Sequence, residues 1–242
     1  RNHRKSPLYD RLAGLGAEFG EKNGWERVNF FRPGESSRQA AADQHQWGWG
    51  RAPYHDLIRE ECLAARERVA LFDMTSFGKF EVSGPGALGL LQRVACNNVD
   101  RPVGSLVYTQ FLNAHGGIES DLTVCRLAGD RFRVITGTSF LSNDLEWVRS
   151  HAPADGSVEI RDVTDDLACI GLWGPDARDV LGQATGDDLS NDAFPYLTAR
   201  QLTVAGKPAW AQRVSYVGEL GWELYLANTG AGAVWDALLE LG

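Results

Sequence analysis

Residues 106–137 have the sequence LVYTQFLNAHGGIESDLTVCRLAGDRFRVITG, and this stretch decides the fold class. It contains three runs rich in β-branched and aromatic residues, as is typical of strands. The segments at 113–117 (NAHGG) and 128–130 (AGD) separate the runs, and glycine, asparagine and aspartate favour tight turns. The stretch therefore predicts three antiparallel strands that follow one another along the chain.

Further helices and strands are predicted on both sides of these three strands. The strand GKFEVSG (78–84) leads through Gly84-Pro85 into a helix, because proline in the first helical turn loses no hydrogen bond. The segment GLWGPDARDVLGQA (171–184) has the same order of strand, Gly-Pro and helix, which suggests two related halves. Other helices are predicted at 54–69 and 139–151, and other strands at 200–206, 208–218 and 221–227.

The uneven alternation of strands and helices predicts the architecture. Recurring hairpins favour an antiparallel α+β fold with flanking helices over a parallel, doubly wound sheet. Residues 1–50 are predicted to be mostly irregular, apart from a short helix in SPLYDRLAGL (6–15). We expect two subdomains, 1–52 together with 152–242, and 53–151, and we expect the last helix to be cut short at Gly242.

The composition is that of a globular protein with an acidic surface. Hydrophobic residues make up 43% of the 242 residues, the formal net charge is −8 and the pI is about 5.2. Such a surface repels phosphates, so neither nucleic acid nor an anionic membrane is an expected partner. No segment has the roughly 20 apolar residues that cross a bilayer.

The four cysteines are predicted to be buried thiols in a reducing compartment. They lie far apart, at Cys62, Cys96, Cys125 and Cys169, and form no C-x-x-C pair, so neither a disulfide framework nor a metal centre is favoured.

The sequence favours neither a dinucleotide-binding site nor a zinc site. Residues 14–20, GLGAEFG, resemble a dinucleotide fingerprint, but that motif belongs between a strand and a helix, and here a helical pattern precedes it. We interpret it as a helix end followed by a turn. The five histidines are scattered, without H-x-H or H-x-x-x-H spacing, so no zinc site is predicted.

Two acidic residues are candidates for a functional site. Asp121 lies in the strand 118–124, where Ile118, Leu122 and Val124 are predicted to share the buried face. Glu219 lies between two glycines that join two strands, and such a loop can present a carboxylate to a cavity. A solvated strand face and an exposed hairpin turn are the alternatives.

Four segments together resemble the glycine-cleavage aminomethyltransferase (T-protein) superfamily, and the resemblance covers almost the whole chain. The segments are LFDMTSFGKFEVSGPGA (71–87), VYTQFLNAHGGIESDL (107–122), GLWGPDA (171–177) and VSYVGELGWELY (214–225). The resemblance implies a T-protein-like folate-binding fold around a central opening, here without the C-terminal β domain of the family.

Within the superfamily, the chain is most similar to the C-terminal part of sarcosine and dimethylglycine dehydrogenases. SPLYDRL (6–12), EKNGWERVNFF (21–31) and DMTSFGKFEV (73–82) carry this similarity. A stand-alone T-protein typically has His-Met-Gly where this chain has Ser76-Phe77-Gly78.

The resemblance also implies site residues. Asp121 matches the functional aspartate of the motif GGI-x-D-D-L and is the implied catalytic residue. Tyr108 matches a tyrosine of the folate pocket, and Glu219 matches the pterin-binding glutamate, so both are implied folate ligands. The acid before Asp121 is replaced by Ser120, and a family arginine beyond the last helix falls outside the sequence. We expect the carboxylates of Asp121 and Glu219 to face one opening.

The implied function is tetrahydrofolate-dependent one-carbon transfer. The domain would capture a methylene iminium or formaldehyde unit, derived from a small N-methyl amine, as 5,10-methylene-tetrahydrofolate. FAD is expected only in an upstream domain, and the expected location is the bacterial cytoplasm or the mitochondrial matrix. The alternatives are a stand-alone glycine-cleavage aminomethyltransferase and a non-catalytic folate-binding regulator. The regulators carry a cysteine in K-G-C-Y-x-G-Q-E, whereas 214–223 contains none.

Overall fold

The computed structural model describes residues 4–32, 49–216 and 218–242. The helices of this part are α1 (Tyr9–Gly14), α2 (His55–Glu67), α3 (Ala87–Val94), α4 (Leu141–Ser150), α5 (Ala177–Ala184) and α6 (Asn228–Leu241). The strands are β1 (Ala17–Lys22), β2 (Trp25–Phe31), β3 (Ala70–Asp73), β4 (Gly78–Ser83), β5 (Leu106–Leu112), β6 (Ile118–Ala128), β7 (Arg131–Thr136), β8 (Glu159–Asp162), β9 (Leu167–Trp173), β10 (Ala199–Val204), β11 (Lys207–Gln212) and β12 (Gly221–Ala227).

Two five-stranded sheets and one hairpin organise these elements. The first sheet has the order β10-β11-β12-β9-β3, the second sheet has the order β5-β6-β7-β4-β8, and β1 pairs with β2. All of these pairings are antiparallel. The predicted antiparallel α+β fold with flanking helices is confirmed.

The core consists of three clusters of apolar side chains. The apolar side chains of one face of the first sheet pack against α1, α5 and α6, and those of the second sheet pack against α3 and α4. A third cluster joins the opposite faces of the two sheets, and it includes Leu106, Ile135, Cys169 and Tyr225. The two sheets therefore face each other, with helices outside, so polar residues on the inner faces meet between the sheets.

The three predicted strands at 106–137 are confirmed as β5, β6 and β7. The one difference concerns Ile118, which is 67% exposed although Leu122 and Val124 are buried. The β5–β6 register shifts between Phe111 and Leu112. This bulge breaks the alternation before Ser120, so Ile118 leaves the buried face that Ser120, Leu122 and Val124 share.

The prediction of an irregular N-terminal region is wrong for 17–31, which forms the β1–β2 hairpin. Its turn is Asn23-Gly24, and both residues have positive φ, 50° and 83°. Asn-Gly is the preferred sequence for such a two-residue turn. The interpretation of 14–20 as a helix end and turn is confirmed for 14–16, because α1 ends at Gly14 and Gly16 has a φ of 85°. It is wrong for 17–20, which belong to β1. Residues 33–48 lie outside the described part.

Two strands, β3 and β8, each pair with strands of the other predicted subdomain. β3 pairs with β9 in the first sheet, and β8 pairs with β4 in the second. β3 belongs to the predicted subdomain 53–151 but forms an edge of the first sheet, whose other strands come from 152–242. β8 belongs to the predicted subdomain 1–52 plus 152–242 but forms an edge of the second sheet, whose other strands come from 53–151. The division into two subdomains stays a prediction.

The two Gly-Pro segments adopt matching conformations. Gly84 follows β4 with a φ of 105°, and Gly174 follows β9 with a φ of 135°. Both values fall where glycine is favoured. A Cβ at Gly174 would also lie 2.3 Å from the carbonyl oxygen of Arg68. Each strand therefore turns sharply into its helix, α3 or α5.

No helix in the described ranges is long and apolar enough to cross a bilayer.

Candidate functional site

A cavity of about 520 Å³ opens where the two sheets meet. The second sheet, its adjoining loops, the loop before β10 and the segment around β12 contribute the walls. The lining residues are Phe77, Tyr108, Asp121, Leu122, Thr123, Ile135, Thr136, Gly137, Tyr196, Leu197, Val214, Ser215, Tyr216 and Glu223.

Two of the predicted site residues, Asp121 and Tyr108, line this cavity together. They lie on β6 and β5 as diagonal neighbours, since Asp121 pairs with Gln110 and Tyr108 pairs with Thr123. The Nε2 of Gln110 donates a hydrogen bond of 3.2 Å to the Oδ1 of Asp121. The hydroxyl of Tyr108 also bonds to this carboxylate, which raises the pKa of Tyr108. Both side chains are exposed, so the pair forms the outer, water-accessible part of the cavity.

The third predicted residue, Glu219, lines a different and smaller cavity. This second cavity has a volume of about 350 Å³ and is also lined by Tyr196, Arg213, Gly218, Leu220 and Gly221. Of the described residues, Tyr196 is the one that lines both cavities. Glu219 precedes β12, where Gly218 turns the chain with a φ of 103°. The structure thus places Glu219 outside the lining of the cavity that Asp121 and Tyr108 share, and the role of Glu219 as a folate ligand stays a prediction.

Glu223, which the sequence analysis did not select, is the acid that the first sheet contributes to the first cavity. On β12 its neighbours Trp222 and Leu224 are fully buried against the helices, so alternation turns Glu223 towards the other sheet. The hydroxyl of Tyr225 donates a hydrogen bond of 2.6 Å to its Oε2. Burial raises the pKa of Glu223 to about 6.

A fully buried amine supports one wall of the same cavity. Lys79 on β4 has 0% exposure, and its Nζ donates hydrogen bonds of 2.8 Å to the carbonyl oxygens of Thr75 and Phe77. Burial lowers the pKa of Lys79 to about 8. These two bonds fix the turn before β4 that carries the ring of Phe77 into the cavity.

Aromatic rings form much of the cavity rim. Phe77 and Tyr216 meet edge to face with centroids 6.1 Å apart, and Tyr108 and Tyr196 line the same space. Flat apolar walls of this kind can hold a planar heterocycle by stacking, while the carboxylates bind its polar edge.

A buried carboxylate behind Asp121 explains the departure at Ser120. The hydroxyl of Ser120 donates a hydrogen bond of 2.8 Å to the Oδ1 of Asp144 on α4. The hydroxyl of Thr136, which lines the cavity, donates to the Oδ2 of the same residue. Asp144 thus ties α4 to β6 and β7 next to Asp121, and a neutral serine suits a position beside this buried charge.

The cysteines and acids of the described ranges form neither a disulfide nor a metal-binding group. All four cysteines are free, and no cluster of three or more His, Cys, Asp or Glu residues in these ranges could hold a metal ion. Cys125 and Cys169 are buried as predicted, whereas Cys62 and Cys96 are exposed. Cys62 lies on α2, which has no buried residue, and Cys96 follows the end of α3.

Comparison with known proteins relates the chain to large oxidoreductases. It is 42% identical over 243 residues to the 4-methylaminobutanoate oxidase (formaldehyde-forming) of Paenarthrobacter nicotinovorans, with 100% of this chain and 29% of the oxidase covered. It is 35% identical over 277 residues to the mitochondrial sarcosine dehydrogenase of Homo sapiens, with 100% of this chain and 30% of the dehydrogenase covered. The chain thus spans less than a third of the length of these relatives.

A solved structure shows the same fold. The glycine cleavage system aminomethyltransferase T of Bartonella henselae superposes with a TM-score of 0.77 and 23% sequence identity, over 98% of this chain and 57% of that chain. The similarity to sarcosine and dimethylglycine dehydrogenases inferred from the motifs is confirmed as well. A family model described as the GCVT N-terminal domain matches residues 8–242, so the chain belongs to the GCVT N-terminal domain family.

Proposed function

We propose that the cavity between the sheets binds the reduced pterin of tetrahydrofolate and that the domain transfers a one-carbon unit to it. The observation that carries the proposal is the pairing of Asp121 and Glu223, contributed by opposite sheets to one cavity with aromatic walls. This chemistry needs two groups. One accepts hydrogen bonds from the polar edge of the pterin, and the other is a carboxylate beside its reacting nitrogens.

Glu223, rather than Glu219, is the proposed pterin ligand. A pterin presents an amine and a ring N–H side by side, and one ionised carboxylate can accept both hydrogen bonds. Charge-assisted hydrogen bonds of this kind contribute about 1.5 to 3 kcal/mol each. Because the pKa of Glu223 is about 6, the carboxylate is mostly ionised at neutral pH.

Asp121 is the proposed catalytic residue. Oxidation of an N-methyl amine removes a hydride and gives a methylene iminium, and attack by a nitrogen of tetrahydrofolate forms the new carbon–nitrogen bond. Asp121 would stabilise the positive charge on the attacking nitrogen and accept its proton. The same carboxylate would return the proton to the donor nitrogen as the bond between that nitrogen and the methylene carbon breaks. Departure of the amine would leave a methylene iminium on the first folate nitrogen, and attack by the second folate nitrogen, with loss of its proton to water, would close the ring. The products are 5,10-methylene-tetrahydrofolate and the demethylated amine.

Tyr108 has a supporting role in this proposal. Its hydroxyl bonds to Asp121, and its ring lines the cavity mouth. It would therefore orient the carboxylate towards the reacting nitrogens and cover one face of the folate.

We infer that the domain works within a longer flavin-dependent oxidase or dehydrogenase. The support is that relatives named as a 4-methylaminobutanoate oxidase and a sarcosine dehydrogenase contain this domain as less than a third of their length. A flavin held elsewhere in such a protein would supply the oxidation. The bacterial and mitochondrial relatives favour the bacterial cytoplasm or the mitochondrial matrix as the location.

The proposal is tested by titration calorimetry of the full-length protein with tetrahydrofolate. We expect Glu223→Gln to weaken binding on the order of 10- to 100-fold, because the amide cannot accept two charge-assisted bonds. Glu219→Gln is the matched control and should change the affinity by less than about threefold, since its cavity is separate.

Two outcomes would contradict the assignment. Equal affinity in the wild type and in Glu223→Gln would remove Glu223 from the pterin site. A large loss confined to Glu219→Gln would return that role to the loop before β12.

A further inference from the structure

The hydrogen bond between Tyr225 and Glu223 lies at the inner end of the cavity. The two residues are two positions apart on β12, so both project towards the second sheet. Tyr225 is 2% exposed, and its hydroxyl lies 2.6 Å from the Oε2 of Glu223. One oxygen of a cavity carboxylate is therefore occupied by a phenol that has almost no contact with solvent.

The other strands place few competing donors beside Glu223. Lys79 faces it from β4, but its Nζ bonds to two backbone carbonyls. Gln212 is its cross-strand neighbour on β11, and neither amide atom of this fully buried side chain has a hydrogen-bond partner within the described ranges. Among the described residues, Tyr225 thus provides the side-chain hydrogen bond that holds the carboxylate of Glu223.

Charged and titratable groups surround the pair on every side. The loop before β12 contributes Tyr216, which interacts with Glu223 and more weakly with Asp121.

Tyr225 has its own charged and titratable neighbours. Cys169 on β9 pairs with Tyr225 across the strands, and the guanidinium of Arg133 on β7 lies 5.8 Å from the Tyr225 ring centroid. Asp73 on β3 acts on Lys79 and Cys169.

We propose that Tyr225 is a positioning residue, which fixes the orientation of the Glu223 carboxylate in the cavity and sets the lowest pH at which the cavity binds its ligand. The identity of that ligand rests on the proposed function, whereas the coupling of the two side chains does not.

The direction of the effect follows from the charge of Glu223. The phenol donates to the ionised carboxylate and so favours ionisation, in opposition to burial. Removal of the hydroxyl leaves burial unopposed, so the pKa of Glu223 rises above its present value of about 6. A protonated Glu223 cannot accept two hydrogen bonds from a ligand, and therefore binding begins to fail at a higher pH.

The test compares Tyr225→Phe with the wild type in the full-length protein without ligand. Infrared difference spectroscopy follows the protonated carboxyl band against pH, and Glu223→Gln identifies the band of Glu223. We expect the midpoint in Tyr225→Phe to rise by about one pH unit, the scale of one lost charge-assisted bond. Tyr9→Phe, which removes a phenol far from the cavity, should leave the midpoint unchanged.

A second variant keeps the test decisive if Tyr225→Phe folds poorly. 3-Fluorotyrosine placed at position 225 keeps the ring and the hydroxyl but makes the phenol a stronger donor, so the midpoint should fall instead of rise. Equal midpoints in the wild type and both variants would overturn the proposal.

The pH dependence of tetrahydrofolate affinity separates this proposal from the proposed function. In Tyr225→Phe the affinity should decline from a pH about one unit higher than in the wild type, with a loss of about fivefold at pH 6. A carboxyl midpoint that shifts as expected in a protein that never binds tetrahydrofolate would reject the folate assignment alone. A folate-binding protein in which neither curve shifts would reject the role of Tyr225 alone.

Discussion

The cavity contains two tyrosine–carboxylate pairs that differ in their access to water. Tyr108 and Asp121 lie on the second sheet at the mouth, and Tyr108 is 55% exposed. Tyr225 and Glu223 lie on the first sheet, and Tyr225 is 2% exposed. The same two functional groups are thus placed in two different dielectric environments.

This difference teaches that burial, more than residue type, sets what each acid can do. Water screens the exposed pair, so its hydrogen bond changes the energy of the site little. The inner pair is desolvated, and the pKa of Glu223 consequently rises to about 6. A solvated carboxylate suits proton exchange with a reacting amine, and a desolvated one suits strong directional binding.

The largest effect is expected from the outer acid. Asp121→Asn keeps the size of the side chain but removes its charge, so methylene transfer should slow by about 100-fold or more. Folate affinity should change only a few-fold, because Glu223 is intact. The measurement is the single-turnover yield of 5,10-methylene-tetrahydrofolate in the full-length protein, with sarcosine, dimethylglycine and 4-methylaminobutanoate each offered as the donor.

An unchanged transfer rate in Asp121→Asn would break the division of roles between the pairs. A loss of folate affinity as large as that of Glu223→Gln would show that both acids bind the ligand.

A smaller effect is expected from the inner acid, Glu223, whose ionised carboxylate should lower the stability of the fold. The pKa of Glu223 is raised in the folded protein from 4.5 to about 6, so the folded state binds the proton more tightly than the unfolded state. Stability is therefore higher below pH 4.5 and falls as the pH rises to about 6, by about 1 to 2 kcal/mol. Glu223→Gln should recover about that much free energy of unfolding at pH 7.5.

Urea denaturation at pH 7.5 and at pH 5 checks this prediction. The difference between Glu223→Gln and the wild type should shrink at the lower pH, where Glu223 becomes protonated. A variant less stable than the wild type at both values would mean that the carboxylate stabilises the fold instead of straining it.

Local patterns were sufficient to predict the strands that carry Asp121 and Tyr108. Alternating residues and glycine-rich turns act within a few positions, and β5, β6 and β7 follow them. The hairpin at Asn23-Gly24 is harder to predict because charged residues on both strands obscure the alternation, although the turn sequence itself is a signal.

The inner acid could not be found in the same way. The flanking glycines drew attention to Glu219, but the direction of a loop side chain depends on backbone angles such as the φ of 103° at Gly218. Glu223 became visible only when two sheets from distant parts of the sequence faced each other. Its local signal is an acid between Trp222 and Leu224, which both pack in the core.

The smallest effect is expected from the outer tyrosine, and it completes the comparison. Tyr108→Phe removes a hydroxyl from an exposed hydrogen bond, while Tyr225→Phe removes one from a buried bond. Water can replace the first donor at once, so folate affinity in Tyr108→Phe should change by less than about threefold at every pH. Calorimetric titration of both variants between pH 5.5 and 8 makes the comparison, since only the inner variant should show a displaced pH profile. If the two variants behave alike, exposure is not the property that separates the pairs, and the roles of the two acids would have to follow from their distances to the bound pterin.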